Sequence, residues 1–216
     1  MKNIRSIPKG LYLVLDPSME RDLLLKRLQA ALEGGVQLLQ IWNNWPPDFD
    51  LHHKRALIDN VVTIANPFHV LVLINEDWEL LQGTGLSGVH FDQIPADFDT
   101  IRKALQAEAV IGITCGNDLR VVEWAEQQRI HYISFCAMFP SSSAVDCEIV
   151  TPETIQKARD LTNLPLFVSG GITPENMSQL EALDIAGVAV ISGILSHEHP
   201  KSAALIYSNN LKKFEK

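Results

Sequence analysis

Short apolar segments alternate with helical segments along the whole chain, and this alternation is the feature that most limits the fold. Segments that are apolar throughout indicate strands buried on both faces, as in a parallel sheet. The eight candidate strands are Leu11–Leu15, Val36–Ile41, Val70–Ile74, Gly88–Phe91, Val110–Thr114, His131–Phe135, Phe167–Ser169 and Val188–Ile191. Eight strand–helix units close into a barrel, so we expect an α/β fold, a single (β/α)8 TIM barrel. It would occupy residues 1–216 as one domain.

An open, doubly wound sheet is the alternative architecture. Such a sheet usually carries a glycine-rich turn after its first strand. Here the first strand is followed by Asp16, Pro17 and Ser18, which favours the barrel.

Charge and hydropathy limit the classes of partner. The 216 residues carry a formal net charge of −8 without a run of Lys or Arg, which argues against nucleic acid and anionic membranes. No apolar run approaches the ~20 residues of a membrane-spanning helix, and residues 1–10 lack the apolar core of a signal peptide. We therefore expect a cytoplasmic protein with no nucleic-acid or membrane partner, and a homo-oligomer is compatible with the sequence.

The stretch from Leu164 to Leu195 contains two strand-to-loop turns built from small residues. Gly170 and Gly171 end the seventh candidate strand, and Ser192 and Gly193 end the eighth. Glycine allows the backbone to approach a ligand closely with its N–H groups exposed. In a β/α barrel, the loops after strands seven and eight frequently hold a phosphate. The sequence therefore predicts a phosphate site here, and a tight turn without a ligand is the alternative.

The other strand ends carry mostly neutral hydrogen-bonding groups. Candidates for orienting a polar heterocycle and one phosphate are Gln40, Asn75, Thr114, Ser141, Ser143 and Ser192. Glu76, after the third strand, could offer an oxygen to Mg²⁺, which prefers one or two carboxylates together with substrate oxygens. Alternatively, Glu76 is an acid in the first turn of a helix, and the serine loop is a flexible surface segment. His90 is interpreted as a hydrogen-bonded core histidine.

Two later segments share a helix-start pattern. Thr151-Pro152-Glu153 and Thr173-Pro174-Glu175 each place a hydroxyl at the N-cap and a proline in the first turn. Both patterns predict the start of an α-helix.

The motifs in these segments resemble those of the thiamine phosphate synthase and thiazole tautomerase superfamily over nearly the whole length of the chain. The motifs that carry the resemblance are GLYLVLD, GGVQLLQIW, VLINEDWEL, GVHFDQ, IGIT, the FPSSS loop, PLFVSGGITPEN and GVAVISGI. The resemblance implies a β/α barrel of thiamine biosynthesis. Family synthases join a pyrimidine methyl diphosphate to a thiazole phosphate and release diphosphate with the help of Mg²⁺.

The resemblance also assigns roles to residues. The family's catalytic positions match Gln40, Asn75 and Thr114, and its metal position matches Glu76. The positions that hold the thiazole phosphate match Ser141, Ser143, Gly170, Gly171, Ile191 and Ser192. The implied ligands are therefore a phosphorylated thiazole or thiamine phosphate, with Mg²⁺ as the implied cofactor.

Several positions depart from the synthase pattern. Trp42, Asn44 and Ala144 stand where the family has cations that bind diphosphate, and Pro95 stands where it has a second metal-binding aspartate. Contacts of this kind are worth several kcal/mol each in the transition state. A non-catalytic binding or regulatory protein and an enzyme of altered specificity are therefore alternatives. A thiazole tautomerase is a further alternative, although its loop histidine is replaced by Ala137.

Overall fold

The computed structural model describes residues 6–141 and 148–214, and it shows a closed barrel of eight parallel strands in chain order. The strands are β1 (Gly10–Leu15), β2 (Val36–Ile41), β3 (Leu71–Asn75), β4 (Gly88–Phe91), β5 (Val110–Cys115), β6 (Tyr132–Cys136), β7 (Leu166–Ser169) and β8 (Gly187–Val190). Strand β8 pairs with β1 and closes the sheet. The expected (β/α)8 barrel is thus confirmed, and the open sheet is excluded.

The connections between strands carry the helices. The α-helices are α1 (Arg21–Glu33), α2 (Leu51–Ala65), α3 (Phe98–Ala104), α4 (Arg120–Gln127), α5 (Pro152–Leu161), α6 (Ser192–Leu195) and α7 (Pro200–Leu211). Short 3₁₀ helices occur at Asn66–Phe68, Trp78–Leu81 and Met177–Leu180. No helix in the described part of the chain is long and apolar enough to cross a membrane.

One of the two predicted helix starts is confirmed. The Thr151 side chain accepts a hydrogen bond from Thr154 N and caps α5. The prediction of an α-helix after Thr173 was wrong, because residues 174–176 form a turn that is followed by a 3₁₀ helix. The backbone N–H of Thr173 donates to Asn176 Oδ1 at 2.9 Å. Asn176 also donates from Nδ2 to Gly171 O at 2.9 Å. These two bonds fold the segment into a compact turn, and only a 3₁₀ helix follows.

The helices bury their apolar faces against the outside of the barrel. Helix α1 turns Leu24, Leu28, Ala31 and Leu32 inward, which is the spacing of one face at 3.6 residues per turn. Strand side chains that point outward complete this layer of the core. Because the strands alternate their side chains between two faces, the remaining strand residues must fill the barrel interior.

Aromatic rings fill one level of that interior. Tyr12, Tyr132 and Phe167 pack edge to face, with ring centroids 5.5 to 6.1 Å apart. All three side chains are fully buried. Their bulk is accommodated by a glycine, since a Cβ added at Gly112 would lie 2.1 Å from the Tyr132 ring.

Gly112→Ala should therefore displace the Tyr132 ring and destabilise the barrel. Overpacking a well-filled core costs about 1–3 kcal/mol, and a chain of this size loses ~2–4 °C in melting temperature per kcal/mol. The matched control is Gly116→Ala, because a Cβ at Gly116 meets nothing within 4 Å. Thermal unfolding of both variants checks the prediction, and equal melting temperatures would contradict it.

Candidate functional site

A cavity of about 550 Å³ opens where the strands end at their carboxyl termini. It is lined by residues from all eight strands and from the segments that follow β2, β4, β6, β7 and β8. Eight of the predicted site residues lie on its wall: Gln40, Asn75, Thr114, Ser141, Gly170, Gly171, Ile191 and Ser192. Parallel strands in a closed barrel bring their carboxyl ends to one rim, which is why residues so far apart in sequence meet.

The two remaining predicted residues are Ser143 and Glu76, and Glu76 is not on this wall. Ser143 lies outside the residues that the structure describes. Glu76 follows β3 in a left-handed conformation with φ of 61°, and its Oε1 accepts a hydrogen bond from Asp92 N at 2.6 Å. This bond turns the Glu76 side chain towards the loop after β4.

A chain of hydrogen bonds crosses the interior beneath the cavity. Tyr12 OH donates to Gln40 Oε1, and the Tyr12 and Tyr132 hydroxyls are 2.9 Å apart. The Tyr132 hydroxyl lies 2.8 Å from His90 Nδ1, and His90 Nε2 lies 2.8 Å from Thr114 Oγ1. The chain therefore joins Gln40 to Thr114 through Tyr12 and His90, which also line the cavity, and through Tyr132, which is fully buried.

His90 is a buried, hydrogen-bonded histidine, as the sequence indicated. Burial lowers its pKa to about 3, because desolvation disfavours the imidazolium. The ring is therefore neutral near pH 7, so one ring nitrogen donates to its partner and the other accepts. Its edge also lines the cavity.

Asn75 organises the rim beside β3 and β4. Its Nδ2 donates to His90 O at 3.2 Å and to Asp92 Oδ1 at 3.0 Å. Burial raises the pKa of Asp92, and the hydrogen bond from Asn75 opposes that rise. Burial likewise raises the pKa of Glu76, against the effect of the bond from Asp92 N. Two carboxylates thus lie next to each other at this edge, and Asp92 faces the cavity.

The glycine turn after β7 is packed against the loop after β6. Met138 N donates to Ser169 O at 2.8 Å, and Phe139 N donates to Gly170 O at 3.1 Å. Gly170 and Gly171 have φ of 84° and 64°, and a Cβ at Gly171 would lie 2.5 Å from Pro140 O. Glycine is therefore required here by the backbone conformation as well as by the close approach of the neighbouring loop.

Helix α6 begins directly after β8, and its first residues line the cavity together with the glycine turn after β7. Ile191 is its N-cap residue and makes no side-chain capping bond. Its first amides, Ser192 N and Gly193 N, have no acceptor within the helix because of their position. Among the described residues, the amides of Gly170 and Gly171 likewise donate to no backbone carbonyl of the loops. All four of these residues line the cavity.

Tyr207 of α7 supports both turns from below. Its hydroxyl donates to Ile172 O at 2.9 Å. A Cβ at Gly193 would lie 2.4 Å from the same hydroxyl, so the Tyr207 side chain contacts the start of α6 as well. The two turns are therefore held at a fixed separation by one buried side chain.

Formal charge is scarce on the cavity wall. Within residues 6–141 and 148–214, the wall contains no Lys or Arg, and Asp92 is its one carboxylate. Trp42 lies on the wall, whereas Asn44 donates to Asp16 Oδ1 at 3.0 Å outside it. Ala144 lies outside the described residues. In the same part of the chain, no three His, Cys, Asp or Glu residues group to hold a metal ion.

Sequence reasoning missed several wall residues. They include Tyr12, Val14, Ser134, Cys136 and Thr173. Tyr12 and Val14 alternate along β1, so period-two spacing could have placed both on the interior face. The continuous apolar character of the strand hid this signal, because both faces of a barrel strand are buried.

The fold and this cavity define a (β/α)8-barrel protein with a cavity at the carboxyl ends of the strands. The family model described as thiamine monophosphate synthase matches residues 11–194. The chain is 32% identical over 200 residues to a thiamine-phosphate synthase of Nitrosococcus oceani, covering 92% of this chain and 91% of that protein. It is 31% identical over 208 residues to one of Clostridium perfringens, covering 95% and 97%.

A solved structure shares the fold. The thiamine phosphate pyrophosphorylase from Pyrococcus furiosus superposes with a TM-score of 0.82 at 17% identity, covering 96% of this chain and 97% of that one. The chain belongs to the thiamine monophosphate synthase family of thiamine biosynthesis, as the sequence motifs indicated.

Tyr207→Phe should lower stability by about 1–3 kcal/mol, because the buried Ile172 carbonyl loses its donor. The expected drop in melting temperature is ~2–4 °C per kcal/mol. Ser208→Ala is the matched control on the same helix, since it removes longer bonds of 3.2 Å to Gly34 O and Gly35 O. A Tyr207→Phe variant as stable as this control would contradict the supporting role.

Proposed function

We propose that this protein binds a phosphorylated thiazole or thiamine phosphate in the barrel cavity, as a member of the thiamine biosynthesis pathway. The observation that carries the proposal is that the predicted phosphate turns and the predicted heterocycle residues line one cavity. Membership of the synthase family supplies the ligand class. The phosphate would lie against the amides at Gly170, Gly171, Ser192 and Gly193, with Ser141 beside them.

The heterocycle would occupy the remainder of the cavity. Gln40 and Thr114 are polar groups on that part of the wall, and Trp42 offers an apolar aromatic surface. Aromatic surfaces bind planar rings by stacking. Glu76 and Asp92 are the two carboxylates that would hold Mg²⁺ together with ligand oxygens and waters, because Mg²⁺ needs only one or two carboxylates.

The family reaction makes a further demand on the site. The bond between the pyrimidine methylene carbon and the diphosphate oxygen breaks, the thiazole nitrogen forms a bond to that carbon, and diphosphate leaves with its negative charge. Donors aimed at developing charge are worth about 3–4 kcal/mol each. The described cavity wall offers no Lys or Arg for this purpose. That observation favours a second candidate, a binding or regulatory protein that performs no coupling.

Calorimetry with thiamine phosphate and with thiazole phosphate, each with and without Mg²⁺, tests ligand binding. We expect saturable binding of at least one ligand at submillimolar concentration. Gly171→Ala should abolish it, because a Cβ there would meet Pro140 O at 2.5 Å. Gly83→Ala is the matched control, since Gly83 also has positive φ (77°) but lies far from the cavity. Absence of heat with every ligand at millimolar concentration would refute the proposal.

A coupling assay with both substrates and Mg²⁺ separates the synthase from the non-catalytic protein. The wild-type chain should turn over far more slowly than a family synthase with its cations. Trp42→Arg, alone and with Asn44→Lys and Ala144→Lys, should raise the rate at least tenfold by returning positive charge to the diphosphate. Trp42→Gln is the control that removes the ring without adding charge. Rapid wild-type coupling would exclude the non-catalytic candidate.

A further inference from the structure

The hydrogen-bond chain from Gln40 to Thr114 has a defined direction of donation, and the Gln40 end determines it. Gln40 presents Oε1 to Tyr12, so the Tyr12 hydroxyl must donate its proton to that oxygen. Tyr12 can then only accept from Tyr132. The Tyr132 proton is thereby used, so the Tyr132 oxygen must accept from His90 Nδ1–H. A hydroxyl has one proton to donate, and this makes each step dictate the next.

The same argument fixes the far end of the chain. A neutral imidazole that carries its proton on Nδ1 has an acceptor at Nε2. The Thr114 hydroxyl, 2.8 Å from Nε2, must therefore donate inward to His90. His90, Tyr12 and Tyr132 are 4%, 1% and 0% exposed, and every polar atom of their side chains already has a partner within the hydrogen-bond chain.

The direction of the chain decides what the cavity wall presents to a ligand. Gln40 is 6% exposed, and its Oε1 is already engaged, so its Nε2–H groups are what it can offer. Among the described residues, this Nε2 makes no hydrogen bond and is not enclosed. Thr114 has committed its proton inward, so it can offer only oxygen lone pairs. If every hydrogen bond in the chain were reversed, Gln40 would offer an acceptor to the ligand and Thr114 would offer a donor.

We propose that Tyr12, Tyr132 and His90 are positioning residues that impose this polarity, so that Gln40 acts as a hydrogen-bond donor and Thr114 as an acceptor. The complementary ligand is a heteroaromatic ring that offers an acceptor to Gln40 and an amino donor to Thr114. An aminopyrimidine has both groups, whereas an oxopyrimidine presents a carbonyl in place of the amine. The inference about ligand selection rests on the proposed function. The direction of donation in the hydrogen-bond chain does not depend on it.

The ligand-free protein provides the first test. ¹⁵N NMR of histidine-labelled protein near neutral pH should show His90 as the Nδ1–H tautomer, with a pyrrole-type Nδ1 and a pyridine-type Nε2. His90→Gln identifies the resonance. Tyr132→Phe removes the Nδ1 acceptor and should alter this signature. An Nε2–H tautomer or an imidazolium in the wild-type protein would overturn the proposal, whatever ligand the cavity binds.

Ligand preference provides the second test. Wild-type protein should bind thiamine phosphate at least tenfold more tightly than its 4-oxo analogue, and Tyr132→Phe should reduce that ratio severalfold. Thr114→Val should reduce it as well, and Thr114→Ser should restore it. Thr162→Val is the control, because it removes a buried hydroxyl bonded to Glu126 away from the cavity and should leave the ratio unchanged.

The outcomes separate the two claims. If the wild-type protein binds neither ligand, the proposed function fails. The tautomer of His90 still decides the direction of donation in the hydrogen-bond chain. If both ligands bind equally well, or if Thr162→Val changes the ratio as much as Tyr132→Phe, the positioning role is refuted. A large change confined to Tyr132→Phe and Thr114→Val supports it.

Discussion

Closure of the sheet between β8 and β1 is the constraint on which the rest of the structure depends. The seam is made by backbone pairing that sets Gly10 opposite Gly187. A Cβ at Gly187 would lie 1.9 Å from Gly10 O, so this approach requires glycine. Once the seam is closed, no strand edge remains to be protected, and all eight carboxyl ends share one rim. The cavity is a consequence of that closure.

The barrel interior changes character along its axis. Tyr12, Tyr132 and Phe167 fill it with rings, while Asn75, Ser134 and His90 bring polar atoms towards the rim. A buried polar group is tolerated only when its hydrogen bonds are made. The two tyrosines meet this condition because each hydroxyl bonds to the next polar group, so one set of side chains both fills the core and supports the site.

The sequence predicted the strands well because their signals are local. Continuous apolar segments marked the strands to within a residue or so, and paired small residues marked the turns after β7 and β8. The prediction failed where tertiary contacts decide. Thr173 has the residues of a helix start, but a turn and a 3₁₀ helix follow it, and the Asn176 side chain bonds to Gly171 O. The bond from the Asp92 amide to one oxygen of Glu76 is a contact that no sequence pattern indicates, and the role of Glu76 as a metal ligand stays a prediction.

Family membership and chemistry are set by different residues in this chain. The motifs that define the family build the strands and the glycine turns, which are required for the barrel and for main-chain amides at the rim. Amides and hydroxyls can neutralise one phosphate group locally. A leaving diphosphate carries more charge, and Asp92, the one carboxylate on the described wall, opposes it unless a metal ion intervenes. A chain can therefore retain every backbone feature of the family while the charge on a few side chains determines whether coupling occurs.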